Sequence, residues 1–361
     1  MQSPARTLST ADAVFVIVGI VVGAGIFKAP SLVAANTASD LSMLLFWLAG
    51  GLIALVGALC YAELASTWPS TGGDYHFLRR AFGGGPAFLF AWARLAVMQT
   101  GSIALLAYVF GDYASQLVPL GAHSATVYAA LAVIVFTAIN LAGIREGKGT
   151  QRAFTVLEIG GVLVLALLGL ALGEHLLFPE QTTAAAAPAA GGGSAGLAMV
   201  FVLLTFGGWN EAAYVSGEIR GRRTAIVRAL VVSIALITAL YLLVNLAYLR
   251  MLGHAGMAAS EAVAADAMRA VLGTTGSQLV SLIVAISALT SINATIITGA
   301  RCNHALGCDY PLFSGLSRWN AGSGTPSTAL IAQGAVALAL VGLGATARSG
   351  FATMVEYTAP V

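Results

Sequence analysis

Two stretches of the chain place glycine where it would interrupt an apolar helix. Residues 19–27 read GIVVGAGIF, and residues 206–211 read FGGWNE. Glycine weakens a helix because it loses more backbone freedom on folding than any other residue. An interrupted helix exposes N–H and C=O groups at one point, where they can bind a carboxylate and an ammonium group. The two stretches are therefore candidates for a ligand site built from backbone groups.

Two other interpretations compete for the first stretch. The spacing GIVVG is also typical of helices that pack closely through small residues. A dinucleotide-binding fingerprint would need a preceding strand, and Lys28 stands where its third glycine should be. Paired glycines occur at 50–51 and 160–161 as well, so packing alone does not favour these two stretches.

The composition indicates a membrane protein. The chain has 361 residues, of which 58% are hydrophobic and 9% are charged, and its mean hydropathy is +0.87. A soluble domain has roughly 25% charged residues. Residues 41–60, 124–144 and 229–249 contain no Asp, Glu, Lys or Arg, and about 20 apolar residues span a bilayer. We therefore expect an all-α polytopic membrane protein.

The apolar windows predict nine helices and the start of a tenth. The nine are expected near residues 10–34, 41–64, 86–115, 124–144, 152–174, 195–219, 226–250, 277–301 and 325–346. The tenth begins near Gly350 and reaches only Val361, about 18 Å of helix against a hydrocarbon core of about 30 Å. We therefore expect a truncated copy of a longer protein.

Predicted helices 1 and 6 each open a half of five helices. The halves are expected at residues 1–174 and 195–361, with an external Ala/Gly-rich linker at 175–194. The two glycine stretches fall at corresponding positions of these halves, which is the sequence pattern of a transporter binding site. This correspondence favours two broken helices over ordinary close packing.

The distribution of positive charge predicts the orientation. The amino terminus and the loops after predicted helices 2, 4, 6 and 8 hold twelve of the seventeen Lys and Arg residues, and the opposite loops hold three. By the positive-inside rule the amino terminus is expected in the cytoplasm. The net charge of +2 follows from this asymmetry, so no nucleic-acid partner is expected.

Residue types typical of catalysis or metal binding are scattered. Cys302 and Cys308 flank His304 in the predicted loop after helix 8, which is too few ligands for a metal site. The five His residues lie in or near loops on both sides, without an H-x-x-x-H or G-x-S-x-G pattern. We expect no enzyme, no cofactor and no metal, and a channel is disfavoured because no helix carries a repeated polar stripe.

Several motifs resemble one family of membrane proteins. VGAGIFKAPS (22–31) and YAELASTWPSTGGDYHFLRRAFG (61–83) resemble the first two helices of the amino acid–polyamine–organocation transporters. FGGWNEAAYVSGEI (206–219) resembles helix 6 of their L-type amino acid transporter branch, and the segment 300–330 and the terminal EYTAPV also resemble it. The resemblance covers nearly the whole chain.

The resemblance implies a secondary transporter of amino acids with a five-plus-five inverted-repeat (LeuT-like) fold. It would work by alternating access, as a symporter or an exchanger; a related amine or polyamine is the alternative substrate. The Ala/Gly-rich composition and short termini favour a bacterial inner (plasma) membrane. Animal L-type proteins join a heavy subunit through a cysteine after helix 3, and since residues 115–126 contain none, no disulfide-linked partner is expected.

The predicted substrate contacts all lie in the two interrupted stretches. The N–H groups of Ala24, Gly25 and Ile26 are expected to bind the carboxylate. The carbonyls of Val21, Leu204, Thr205 and Gly207 are expected to bind the ammonium. Gly23 lets the backbone approach the ligand. Phe206, Trp209 and Asn210 either close over the ligand or pack between helices.

A second set of residues is predicted to couple transport to a proton or a cation. Glu158 lies about six residues into predicted helix 5, and a carboxylate at that depth is costly and by default functional. The family commonly places Lys there, near a cation site between helices 1 and 8. The hydroxyls of Ser287, Thr290 and Ser291 on predicted helix 8 suit a small cation. A structural pair between Glu158 and Arg94 is the alternative.

Two further carboxylates lie in predicted helix 6. Glu218 ends this helix and is expected to pair with nearby arginines. Glu211 follows the GGWN stretch directly and is a weaker candidate for contact with substrate or a gate.

Overall fold

The computed structural model describes residues 8–121, 123–175, 177, 194–220, 224–346, 353–354 and 357–358, without the side chains of residues 24, 116 and 117. These residues form helices and no strand. Eight of their helices are long and apolar enough to cross a membrane. The linker at 175–194 and the start of predicted helix 10 fall mostly outside the described residues.

The first half contains eight α-helical segments. They are α1 (Thr10–Val21), α2 (Ala29–Ala35), α3 (Asp40–Thr67), α4 (Asp74–Phe82), α5 (Gly84–Ala93), α6 (Gln99–Leu117), α7 (Ser124–Ala142) and α8 (Ile144–Leu172). A π-helical turn at Arg94–Met98 joins α5 to α6, so these segments form one long helix. Predicted helix 1 is divided between α1 and α2.

The second half begins with another divided helix. Its segments are α9 (Ala195–Phe206), α10 (Ala212–Val215), α11 (Thr224–Ala259), α12 (Val263–Asp309) and α13 (Ser327–Ala345). Gly253 and Gly273, at φ 65° and 61°, kink α11 and α12 near the loop that joins them. Positive φ is a backbone conformation that glycine adopts without steric cost.

Several helices extend further than the sequence predicted, and α11, for example, ends at Ala259 instead of residue 250. α8 begins at Ile144 instead of residue 152, and α12 continues to Asp309 instead of residue 301. Cys302 and His304 therefore lie in a helix and not in a loop. The reason is that hydropathy reports only the part of a helix that lies in lipid, while charged and polar residues continue the same helix into water.

Two large apolar cores divide most of the helices into groups, and a smaller third core joins α4, α5, α10 and α12. The larger core packs α1, α2, α3, α9 and α11 against parts of α8 and α12. The second core packs α6, α7 and α13 against α12. Both divided helices belong to the first group, and residues of their interruptions share a cavity with α6 of the second group.

Three ion pairs join the divided helices to their neighbours. Asp12 of α1 pairs with Lys148 of α8 at 3.3 Å, and Glu211, just before α10, pairs with Arg94 at 2.6 Å. Glu218 pairs with Arg301 of α12 through both carboxylate oxygens. This third pair confirms the expectation for Glu218.

The same end of the molecule carries a short backbone pairing. The N–H of Leu8 donates to the carbonyl of Glu218, and the N–H of Arg220 donates to the carbonyl of Leu8. The start of α1 is thus tied to the end of the second divided helix. Together with the buried Glu218–Arg301 pair, this contact closes the end of the molecule where the chain enters α1.

We predict that Arg301→Met strongly destabilises the protein. The substitution leaves the buried Glu218 carboxylate without its counter-ion, which should lower the free energy of unfolding by about 3–5 kcal/mol. Thermal unfolding of the purified protein measures the change. Arg269→Met is the matched control, because the Arg269–Asp266 pair is exposed and should cost less than about 1 kcal/mol. Equal losses in the two variants would contradict the prediction.

Candidate functional site

The first break comprises residues 22–28, between α1 and α2. Val22 leaves the helical path at ψ 68°, and Gly23 is extended at φ −107° and ψ −160°. A 3-10 turn follows at Ala24–Phe27, and α2 begins at Ala29 with Pro30 in its first turn. Proline suits that position because the first N–H groups of a helix have no partner within it.

The second break comprises residues 207–211, between α9 and α10. Gly208 has φ 107°, which a residue with a side chain rarely adopts. A Cβ atom at Gly208 would also lie 2.7 Å from the side chain of Ile20 in α1. Glycine is therefore required at Gly208 both for the backbone conformation and for the close approach of α1.

The hydroxyl of Tyr241 in α11 joins the two breaks. It lies 2.7 Å from the carbonyl oxygen of Val21 and 3.1 Å from that of Thr205, and donates one proton that the two share. Its ring packs against Trp47 and Phe206. The sequence analysis missed Tyr241, because no local pattern connects a tyrosine in the middle of one helix with the ends of two others.

Two hydroxyls of α12 satisfy further carbonyls at the end of α1. Ser291 donates to the carbonyl of Gly19 at 3.1 Å, and Ser287 donates to that of Val22 at 3.1 Å. The structure thus brings two predicted coupling residues to the first break. Thr290, the third, donates to the carbonyl of Ile286 within its own helix.

A cavity of about 330 Å³ lies between the two breaks. Its lining comes from the breaks, from α6 and from α12: Ile20, Val21, Gly23, Gly25, Gln99, Ser102, Leu106, Leu204, Thr205, Gly207, Gly208, Glu211, Ser291 and Thr295. Six of the predicted substrate contacts are among these residues: Val21, Gly23, Gly25, Leu204, Thr205 and Gly207.

The other described substrate candidates contact protein instead of the cavity. Phe206 and Ile26 are buried in the larger core. Trp209 packs edge-on against Tyr61, and the amide of Asn210 donates to Asp74 at 3.3 Å. For the side chains of Phe206, Trp209 and Asn210 the structure favours helix packing, the alternative that the sequence left open. The prediction for Ile26 concerns its backbone N–H, which the burial of its side chain does not test. The side chain of Ala24 lies outside the described part of the chain.

The polar wall of the cavity contains residues that the sequence analysis did not single out. Gln99 and Ser102 of α6 line it together with Ser291 and Thr295 of α12. The side-chain amide of Gln99 donates to the carbonyl of Thr295 at 2.8 Å. The run QTGS at 99–102 could have indicated these two residues, because polar residues are unusual in the middle of a membrane helix.

Glu158 is fully buried in α8, and neither of its carboxylate oxygens has a hydrogen-bond partner. Ser287 and Thr290 are its polar neighbours, but both donate their protons to backbone carbonyls. The alternative that Glu158 pairs with Arg94 is wrong, because Arg94 pairs with Glu211. The carboxyl group therefore lies beside the Ser287 hydroxyl, which contacts the first break, and is itself without a hydrogen-bond partner.

A group of buried charges lies at one end of the cavity. We name it the Arg94 cluster, formed by Arg94, Glu211 and Asp74 with Tyr214 and Asn210. Both oxygens of Glu211 accept from Nη2 of Arg94 at 2.6 Å, and the guanidinium stacks on the Tyr214 ring at 4.2 Å. Oδ2 of Asp74 accepts from Tyr214 and Asn210. Burial raises the pKa of Asp74, which precedes the membrane helix α5–α6.

These features define a class of protein. Several membrane-spanning helices surround a central cavity, and two of them are interrupted at its walls. A binding site made from interrupted helices at the middle of the membrane is characteristic of secondary carriers.

The chain belongs to the amino acid permease family. The family model described as amino acid permease matches residues 8–359. The b(0,+)-type amino acid transporter 1 of Mus musculus is 32% identical over 327 residues, which cover 90% of this chain and 67% of the mouse protein. Large neutral amino acids transporter small subunit 2 of Homo sapiens is 29% identical over 303 residues, 82% of this chain and 56% of that protein.

A solved structure supports the same fold. The crystal structure of MhsT in complex with L-phenylalanine superimposes with a TM-score of 0.63 over 99% of this chain and 81% of that one, at 17% identity. The predicted family and the all-α polytopic fold of the LeuT-like class are confirmed. The family and the relatives named above are transporters and not enzymes.

We predict that Tyr241→Phe destabilises the protein and weakens ligand binding. The change leaves the buried Val21 and Thr205 carbonyls without their shared donor, at a cost of about 1–3 kcal/mol. Thermal unfolding of the purified protein tests this. Tyr248→Phe is a matched control from the same helix, because the buried hydroxyl of Tyr248 has no partner. A control variant as unstable as Tyr241→Phe would show that the shared hydrogen bond is unimportant.

Proposed function

We propose that this chain carries amino acids across a membrane by alternating access, as a symporter or an exchanger. The observation that supports this most directly is the cavity between the two breaks, with backbone groups of both divided helices in its wall. An amino acid has a carboxylate and an ammonium group on one carbon. One cavity that offers N–H groups and carbonyls side by side can bind the carboxylate and the ammonium group at once.

The first break supplies the donors for the carboxylate. The chain resumes at Ala24–Phe27 after Gly23, and the opening N–H groups of a helical segment have no acceptor within it. Gly25 lines the cavity and has no side chain to cover these groups. We assign the carboxylate to the N–H groups of Ala24, Gly25 and Ile26.

The ammonium is assigned to the carbonyls of the second break. The Val21 carbonyl already accepts from the N–H of Gly23 at 2.8 Å and from Tyr241 at 2.7 Å. The Thr205 carbonyl accepts only from Tyr241, at the longer distance of 3.1 Å. An ammonium group can therefore take the Thr205 carbonyl while Tyr241 keeps its bond to Val21.

Glu158 is assigned the coupling role. An uncompensated buried carboxylate is costly unless it binds a proton or a cation. Its polar neighbour Ser287 also holds the carbonyl of Val22 at the first break. A proton or cation at Glu158 is thus connected to the first break through Ser287 and the carbonyl that it binds. Ser291 is the other α12 hydroxyl that binds a carbonyl at the end of α1.

The remaining assignments concern the surroundings of the carrier. We assign the amino terminus to the cytoplasm, which the charge distribution supports. We assign the chain to a bacterial inner membrane, which the Ala/Gly-rich composition supports. The two halves, 1–174 and 195–361, act as the inverted repeats. The human relative is called a small subunit, but none of the three cysteines of this chain falls in residues 115–126. We therefore assign it no disulfide-linked partner.

Counterflow in liposomes tests the function directly. The reconstituted protein should show saturable uptake of a labelled amino acid against an internal pool of the unlabelled compound. Uptake of an amine or polyamine alone would favour the alternative substrate class, and an unsaturable ion current would indicate a channel.

We predict that Gly25→Val abolishes binding in a protein that still folds. A Cβ atom at Gly25 would lie 3.1 Å from the side chain of Thr205, and the branched group would fill the space assigned to the carboxylate. Binding of labelled amino acids to purified protein measures the loss. Gly160→Ala in α8 is the control, since a Cβ atom at Gly160 would meet nothing within 4 Å and Gly160 does not line the cavity. Near-normal affinity in Gly25→Val would refute the assignment.

We predict that Glu158→Gln uncouples transport from the proton gradient. The amide cannot release a proton or carry a negative charge, so gradient-driven uptake and its pH dependence should be lost while exchange persists. Both are measured in liposomes. Ser233→Ala is the control, because it alters another buried polar group without a partner, in the different helix α11. If uptake by Glu158→Gln keeps the wild-type pH dependence, Glu158 has a structural role and not a coupling role.

A further inference from the structure

We infer that the surface around Arg80 binds an anionic phospholipid at the edge of the membrane. We name it the Arg80 surface, formed by Trp68, Arg80, Phe82 and Leu312. The group that it recognises is the phosphate of a lipid such as phosphatidylglycerol, and not a substrate of the carrier. The inference goes beyond the proposed function and requires only that the chain spans a membrane.

The first three residues of the Arg80 surface lie in the connection between two membrane-spanning helices. α3 ends at Thr67, and Trp68 is the next residue. The spanning helix that contains α5 and α6 begins at Gly84, two residues after Phe82. α4 occupies the short connection between these two ends, so it lies at the level where both helices leave the bilayer.

The fourth residue of the surface lies in a second connecting segment, the 3-10 turn at Pro311–Ser317 after α12. Asp309, at the end of α12, pairs with Arg79 of α4. The hydroxyl of Tyr310 donates to the carbonyl of Gly84 at 2.6 Å. The turn is therefore held against α4 and the start of α5, on the same side of the membrane.

Two side chains of the Arg80 surface are apolar and point away from the protein. Phe82 is 70% exposed and Leu312 is 86% exposed, although neither belongs to a spanning helix. In water, each would cost free energy in proportion to its exposed apolar area. At the boundary of the membrane the same side chains can enter the lipid, as the apolar faces of interfacial helices do. Their exposure therefore indicates a surface that contacts lipid.

Arg80 supplies a positive charge at this level. The carbon of its guanidinium lies 4.8 Å from the centre of the Trp68 ring, and tryptophan is typical of the headgroup level of a membrane. Arg79 is paired with Asp309, whereas Arg80 is exposed and forms no ion pair with a described residue. The Trp68 ring thus holds a guanidinium whose donors are available to a group outside the chain.

The phosphate of an anionic lipid fits both the charge and the apolar side chains. A planar guanidinium can bind a phosphate through two parallel hydrogen bonds. The acyl chains of the same lipid would cover Phe82 and Leu312. A free anion has no chains to cover them, and a zwitterionic lipid carries an ammonium group that opposes the charge of Arg80. Negative lipids are attracted to basic residues at the membrane surface for the same reason.

The Arg80 surface is connected to the second break through α4. This helix begins at Asp74, about 9 Å along the helix axis from Arg80. Oδ2 of Asp74 accepts from Tyr214 and Asn210, which lie at the second break and in α10. A lipid that holds α4 at the membrane surface therefore also holds a helix that contacts the divided helix.

The test identifies the lipid at the Arg80 surface by cross-linking. The full chain is reconstituted in phosphatidylcholine vesicles with a trace of photoreactive phosphatidylglycerol or of photoreactive phosphatidylcholine with the same acyl chains. Mass spectrometry of the peptides gives the yield of each probe near Phe82. In the wild type, phosphatidylglycerol should be favoured there by about fivefold. Near Leu120, an exposed residue beyond the opposite end of α6, the two yields should be equal.

Three variants separate a lipid site from a general effect of positive charge. Arg80→Gln should remove the preference for phosphatidylglycerol near Phe82. Trp68→Leu should reduce this preference although the net charge is unchanged, because the guanidinium loses the ring that holds it. Arg145→Gln, which removes an exposed arginine at the start of α8, should keep the wild-type ratio.

Equal yields of the two probes at the wild-type surface, or an unchanged ratio in Arg80→Gln, would overturn the inference. An equal loss in Arg145→Gln would also overturn it, because only the net charge would then matter. Excess inorganic phosphate should leave the ratio as it is in chloride of the same ionic strength. If phosphate abolishes the preference, Arg80 binds a free anion and not a lipid. If Arg80→Gln does not fold, the ratio in Trp68→Leu decides.

Discussion

The hydrogen bonds that satisfy the interrupted backbone are the constraint on which the structure depends. Lipid offers no partner to a free carbonyl, so a helix can break inside a membrane only where protein groups replace the lost bonds. Tyr241 serves Val21 and Thr205, and two serines of α12 serve Gly19 and Val22. These donors come from helices that surround both breaks. The breaks must therefore lie together, and the cavity between them is a consequence.

The ion pairs are a second constraint on how the divided helices pack, and all three have the same arrangement. In each of the three pairs the carboxylate belongs to a divided helix, and the cation belongs to a neighbouring continuous helix: Asp12 to Lys148, Glu211 to Arg94 and Glu218 to Arg301. A shifted packing would leave a buried charge alone, which costs several kcal/mol. Apolar contacts tolerate small shifts in register, whereas these pairs do not. They therefore select one arrangement of the divided helices.

The sequence allowed the fold to be predicted more fully than the site. The glycines at 23, 25, 207 and 208 indicated both breaks because backbone conformation leaves a local signal. Phe206 and Asn210 carry no such signal, since an aromatic ring or an amide beside a break can face either the ligand or a neighbour. Tyr241, Gln99 and Asp74 were missed because their roles depend on contacts between distant helices. The lengths of α8 and α12 were underestimated because hydropathy marks lipid contact and not helix ends.

The buried carboxylates of the chain differ in how they could be neutralised. Glu211 has a permanent cation in Arg94 and lines the cavity, so a ligand competes there with an existing bond. Glu158 has no bond to lose. Its neighbour Ser287 already donates its only proton to Val22. A proton or cation held by Glu158 would interact with the Ser287 oxygen, polarise its O–H group and strengthen the bond to Val22. In the proposed mechanism the coupling ion therefore affects the substrate site through the hydrogen bonds that hold the first break. No separate connection between the two sites is needed.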